Sequence, residues 1–177
     1  MGAALSFCAG AFLLLFPYAW CALRGEDARD YGLFWDYNAR DFVFALGVCA
    51  AVLVPLTAVA MAWPWEDLPR YSDLPRTLRL GISGLAAAII EETFFRGWLQ
   101  TLLARRFSPA VAIVLANLVF APIHLIVAPN WVSLCTFFPG LVMGWLKYRC
   151  GNLFAPALFH FVGNIWAIWF FPMPVNF

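Results

Sequence analysis

The sequence predicts an all-α membrane protein, a polytopic bundle of about six transmembrane helices, on three observations. Hydrophobic residues fill 64% of the 177 positions and charged ones only 12%, where a soluble domain carries roughly a quarter charged. Runs of about 20 mostly apolar residues, the length that crosses a hydrocarbon core, recur along the chain. Polar or turn-rich connectors separate these runs. A chain of this length has room for one domain, and no internal repeat or low-complexity tract divides it.

In chain order the spans fall near 3–23, 42–62, 80–103, 110–128, 132–146 and 153–171. The first lacks the basic leader of a secretory signal, its earliest basic residue being Arg24, and it is longer than a signal's apolar core. It is expected to stay in the mature protein as a membrane helix. The fifth is the shortest, and Pro139 and Gly140 are expected to break or tilt it. The sixth is rich in aromatics toward its end (Trp166, Trp169, Phe170, Phe171), which suits contact with lipid. Trp63, Trp65, Trp131 and Trp145 near span ends suit the headgroup belt. The longest connectors run from Arg24 to Asp41 and from Trp63 to Arg79.

Connectors after spans one, three and five hold seven basic residues, Arg24, Arg29, Arg40, Arg105, Arg106, Lys147 and Arg149. The opposite side holds three, Arg70, Arg76 and Arg79, so the positive-inside rule places both termini outside the cytoplasm. A net charge of +1 argues against a nucleic-acid partner. The five cysteines are odd in number and scattered without a CxxC pair, so neither a disulfide framework nor a structural zinc site is expected.

The third span carries Glu91, Glu92 and Arg96 near its middle. Each costs about 2.5–3.5 kcal/mol at a helix centre, while a neighbouring Leu or Ile returns only about 0.3–0.6 kcal/mol. These charges must face the bundle interior. Glu92 and Arg96 are four residues apart, on one face, with the acid on the favourable N-terminal side. Glu91 is turned about 100° from Glu92 and about 140° from Arg96, which leaves it free to point elsewhere.

The chain has two histidines, and both lie in predicted spans. His124 shares a face with Phe120 and Asn117, and His160 shares one with Asn164. Intramembrane ionisable groups are site candidates by default. Amide hydrolysis needs a base for water, donors for the oxyanion and a proton for the leaving amine. Glu91 can serve as base, His124 can hold the same water, and His160 with Asn164 can supply N–H donors. Ser83 lies in the third span, but no G-x-S-x-G elbow accompanies it. Two alternatives stay open on the residues alone. Glu91, His124 and His160 could be three ligands of a catalytic zinc, or the polar set could be a proton or ion relay or a packing network.

Three motifs stand in order on successive spans: Glu91-Glu92-Thr93-Phe94-Phe95-Arg96 as E-E-x-x-x-R, Phe120 to His124 as F-x-x-x-H, and His160 to Asn164 as H-x-x-x-N. Together they resemble the CAAX protease and bacteriocin-processing (CPBP, or Abi) family, which includes the Ras-converting CAAX endopeptidase. The resemblance covers about residues 80–171. It implies a glutamate-type intramembrane protease with no cofactor or metal. By that resemblance Glu91 and His124 activate water, His160 and Asn164 stabilise the oxyanion, and Glu92, Arg96 and Phe120 support them. The implied partner is a membrane-anchored protein or peptide substrate. The chain is shorter than eukaryotic CAAX proteases, which favours a C-terminal sorting signal or peptide precursor, in a bacterial inner membrane, over a prenylated CAAX substrate.

Overall fold

The computed structural model describes residues 3–62, 67–127 and 129–171, and among these no strand occurs. Helix α1 spans Ala3–Arg24, α2 Ala39–Met61 and α3 Leu74–Glu91. A π-helical stretch, Glu92–Leu99, carries α3 directly into α4, Gln100–Ala104. Then follow α5 (Pro109–Val127), α6 (Phe137–Cys150) and α7 (Phe154–Phe170). With α3, the π stretch and α4 taken as one rod, six rods correspond to the six spans read from the sequence. The fold is an all-helical membrane bundle.

Among the described residues three helices are long and apolar enough to cross a bilayer: Phe7–Arg24, Ala39–Met61 and Pro109–Ile126. Helix α7 is apolar but shorter. Helix α3 carries three charges, Arg76, Arg79 and Glu91, and α6 has only 14 residues.

Local chemistry sets the ends of these helices. The Asn38 side chain accepts from Asp41 N at 2.8 Å to start α2, and Asp73 accepts from Arg76 N at 2.8 Å to start α3. Gly151, at φ 77°, closes α6 in the left-handed conformation that glycine adopts without strain. The fifth span departs from expectation. Residues Trp131–Thr136 form a 3-10 turn, capped by Asn130, and α6 starts only at Phe137. Pro139 does not break α6, because it sits in the first turn, where a backbone N–H has no partner inside the helix to lose.

Gly140 is a point of close approach. A Cβ there would lie 1.9 Å from Asn117 Oδ1 and 3.1 Å from Arg96 Nη2. Only glycine lets α6 come this near to α5 and the rod. Gly140→Ala is therefore expected to destabilise the bundle by about 1–3 kcal/mol, the usual effect of overpacking. Thermal unfolding in detergent measures it. Gly163→Ala, where a Cβ meets nothing within 4 Å, is the control.

The α3–π–α4 rod lies at the centre, packed by α1, α5, α6 and α7. One end of the bundle is fastened by the connector after α1. Tyr31, buried, receives hydrogen bonds from Trp20 Nε1 (3.2 Å) and Arg105 Nη1 (3.0 Å), and its hydroxyl donates to Glu26. That bond holds the Glu26 carboxyl below the usual carboxylate range. Lys147 lies close to Gly32 and donates to Gly151 O at 3.2 Å. The connectors that follow the first, third and fifth spans thus meet at one end, as alternation of spans requires.

Candidate active site

The charges of the central rod find partners across the bundle. Glu92 and Arg96 are both fully buried, with Oε1 and Nη1 3.2 Å apart. Arg96 Nη2 also donates to Asn117 Oδ1 on α5 (3.3 Å) and to Gly140 O on α6 (3.2 Å). Its guanidinium sits 4.1 Å over the Phe120 ring. An arginine could not stay buried in hydrocarbon without such a set, because an isolated ion costs several kcal/mol to desolvate. The pairing of Glu92 with Arg96 is the one that helical spacing predicts.

Glu91 points elsewhere, as its rotation requires. Its Oε2 lies 3.8 Å from Nε2 of His124 on α5 and 3.8 Å from Nε2 of His160 on α7. About a quarter of the Glu91 and His124 side chains is exposed, against a tenth for His160. Each imidazole is held at its other nitrogen. His124 Nδ1 donates to Phe120 O at 3.1 Å, a carbonyl one turn earlier on its own helix. His160 Nδ1 donates to Glu92 Oε1 at 2.9 Å. Since both partners are acceptors, both Nδ1 atoms carry the hydrogen, and in the neutral rings both Nε2 atoms present lone pairs to Glu91. Phe120 packs edge-on against both rings, at 4.6 Å from His124 and 6.3 Å from His160.

The structure therefore brings Glu91, Glu92, Arg96, Phe120, His124 and His160 together. It places Asn164 differently. The Asn164 amide donates to Gly84 O at 3.0 Å, seven residues before Glu91, which is about 10 Å of helical rise away. Gly84 admits this contact, since a Cβ there would lie 3.0 Å from Asn164 Cβ.

Two features were not foreseen in the sequence. The rod is π-helical from Glu92 to Leu99, where i→i+5 bonding adds a residue to each turn. Such stretches concentrate at functional sites, and this one starts at the residue after Glu91. The second is the bond between Glu92 and His160, which links two of the motifs and depends on α7 packing against the rod. Asn117 was legible on the His124 face, but its partner Arg96 was not. Among the described residues, no group of three or more His, Cys, Asp or Glu side chains has metal-holding geometry.

These observations define a class, that of polytopic helical membrane proteins with a carboxylate set between two imidazoles. The comparison with known families narrows it. The family model described as Rce1-like, type II CAAX prenyl endopeptidase Rce1-like, matches residues 74–166, 93 of the 177 positions. The chain belongs to that family of membrane endopeptidases. No curated protein and no solved structure matches it. The match holds all three motifs and ends two residues after Asn164.

Proposed function

We propose that this chain is a glutamate-type intramembrane endopeptidase, hydrolysing a peptide bond in a membrane-anchored protein or peptide. The observation that carries the reading is the convergence of one carboxylate and two imidazoles: Glu91 Oε2 lies 3.8 Å from Nε2 of His124 and 3.8 Å from Nε2 of His160, and Glu91 with a neutral His124 forms a pair of facing acceptors. Glu91 Oε2 is buried and accepts no direct hydrogen bond. Acceptors facing one another at this distance suit a donor between them, and a water offers two O–H groups.

In this mechanism Glu91 and His124 hold the water, and Glu91 takes one of its protons as the oxygen attacks the substrate carbonyl. The carbonyl electron pair moves onto oxygen. His160, protonated at Nε2 and balanced at Nδ1 by the Glu92 carboxylate, donates to that oxyanion. Asn164 has one amide hydrogen beyond its Gly84 bond and is assigned the second donor role, which requires its side chain to turn from Gly84 when substrate binds. Collapse of the tetrahedral intermediate breaks the C–N bond, and the proton held by Glu91 passes to the leaving amine. Arg96 and Phe120 keep Glu92 and both rings in place.

For the substrate, the family description names a CAAX prenyl endopeptidase, and C-terminal sorting signals or peptide precursors are the other class to be tested. The seven-to-three distribution of basic residues supports a plasma-membrane orientation with both termini outside the cytoplasm; the bacterial inner membrane is the proposed location.

The test uses purified enzyme in lipid nanodiscs, mixed with membranes, with a farnesylated CAAX peptide and with a sorting-signal peptide. New peptide termini, read by mass spectrometry, are expected with the wild type and absent with Glu91→Ala. No Glu91-dependent cut in any of the three would overturn the proposal. Undiminished cleavage by metal-free enzyme is also expected, and activity restored only by stoichiometric zinc would transfer Glu91, His124 and His160 to the metal reading.

A further inference from the structure

We infer that Gln100 is a positioning residue of the proposed reaction: its hydrogen bond to α6 fixes the winding of the π-helical stretch, and through it the Glu92 carboxylate that holds His160. The inference rests on the endopeptidase reading above and adds to it a residue that none of the three motifs contains.

Gln100 is the first residue of α4, where the rod returns from π to α winding, and its backbone N–H closes the last wide turn on Phe95 O. Its side chain is buried, and Nε2 donates to Gly144 O on α6 at 2.9 Å. A like contact occurs one turn earlier, where Arg96 Nη2 donates to Gly140 O at 3.2 Å. Two donors four residues apart on the rod thus meet two carbonyls four residues apart on α6. The second approach is as tight as the first: a Cβ on Gly144 would lie 2.8 Å from Ile113 Cγ2 and 2.9 Å from Gln100 Oε1.

The amide is a poor choice for stability alone. Gly144 O lies inside α6 and has a helical partner without it. Gln100 Oε1 is buried and accepts no hydrogen bond among the described residues, so an apolar side chain of the same size would avoid a desolvation cost. What the amide supplies is register. A π stretch inserts at least one residue into the helical ladder, which turns everything beyond it by roughly 100° or more relative to unbroken α-helix. Relaxation of residues 92–99 to α winding would swing Gln100 away from Gly144, so their bond holds the stretch wide. Glu92 opens that stretch, and its Oε1 meets both Arg96 Nη1 at 3.2 Å and His160 Nδ1 at 2.9 Å. The winding is therefore pinned at three points: to α7 by Glu92, to α5 and α6 by Arg96, and to α6 by Gln100. Loss of the last lets the stretch tighten, and Glu92 shifts against His160.

The experiment compares the wild type, Gln100→Met and Gln100→Leu in lipid nanodiscs by thermal unfolding, by cleavage kinetics and by NMR of protein labelled at the histidine nitrogens. The chain has two histidines, so two rings report, and the His124→Ala spectrum assigns them. Both variants are expected to unfold at or above the wild-type temperature. Their kcat is expected to fall about 10- to 100-fold, the effect of a displacement of about 1 Å at a reacting group, with KM within about twofold. The His160 Nδ1–H resonance, deshielded by the Glu92 carboxylate, is expected to move upfield while that of His124 stays in place. An unmoved His160 resonance overturns the inference, and so does a loss of stability large enough to account for the lost activity. Absence of any Glu91-dependent cut in the wild type removes the endopeptidase reading, while the His160 resonance still decides whether Gln100 governs that ring, so the two failures are distinguishable.

Discussion

Glu91→Gln is expected to lower the cleavage rate about 10³-fold while the protein still inserts and accumulates. The substitution preserves size and removes the base, and a positioned general base contributes about 10²–10⁴-fold. The fold should tolerate it because Glu91 is not the partner of the buried guanidinium. That role belongs to Glu92, 3.2 Å from Arg96, whereas Glu91 faces two imidazoles at 3.8 Å and is a quarter exposed. Removing its charge therefore leaves no buried ion unpaired. His124→Ala should also reduce the rate, with less effect on His160, which Glu92 orients from the far side. Initial rates normalised to membrane-inserted protein make the measurement. A Glu91→Gln enzyme within tenfold of wild type would show that some other group activates water.

How much of this was legible in the sequence depends on the range of the interaction. The Glu92–Arg96 pair and the separate direction of Glu91 follow from positions on one helix, and both are present even though the winding changes to π-helical at Glu92. The face holding Asn117, Phe120 and His124 is likewise local, and all three side chains touch the site region. Contacts between helices were not legible. Nothing in the spacing of residues tells His160 to bond Glu92 or Asn164 to bond Gly84, since each depends on how α7 sits against the α3–π–α4 rod. The start of α6 was misplaced for a different reason. The run from Trp131 onward is apolar enough for a span, but Asn130 caps a 3-10 turn first, accepting from Ser133 N at 3.2 Å.

Arg96→Met is expected to have the largest effect on stability, and comparison with a double variant separates its two roles. Truncating one partner of a buried ion pair leaves the other charge uncompensated and costs about 3–5 kcal/mol. Arg96→Met would also leave Asn117 Oδ1 and Gly140 O without the guanidinium donor and Phe120 without its cation. Replacing both charges together, as Glu92→Leu with Arg96→Met, removes the orphaned ion, and such apolar replacements are often neutral or stabilising. The double variant should therefore recover most of the thermal stability lost by Arg96→Met. It should not recover cleavage, because His160 Nδ1 has lost the carboxylate that orients the ring and balances its charge while Nε2 donates to the oxyanion. A purely structural ion pair predicts the opposite, with activity returning alongside stability. Unfolding in detergent and rates on one substrate, measured for the wild type, both single variants and the double, decide whether this pair positions the catalytic imidazole or only holds helices together.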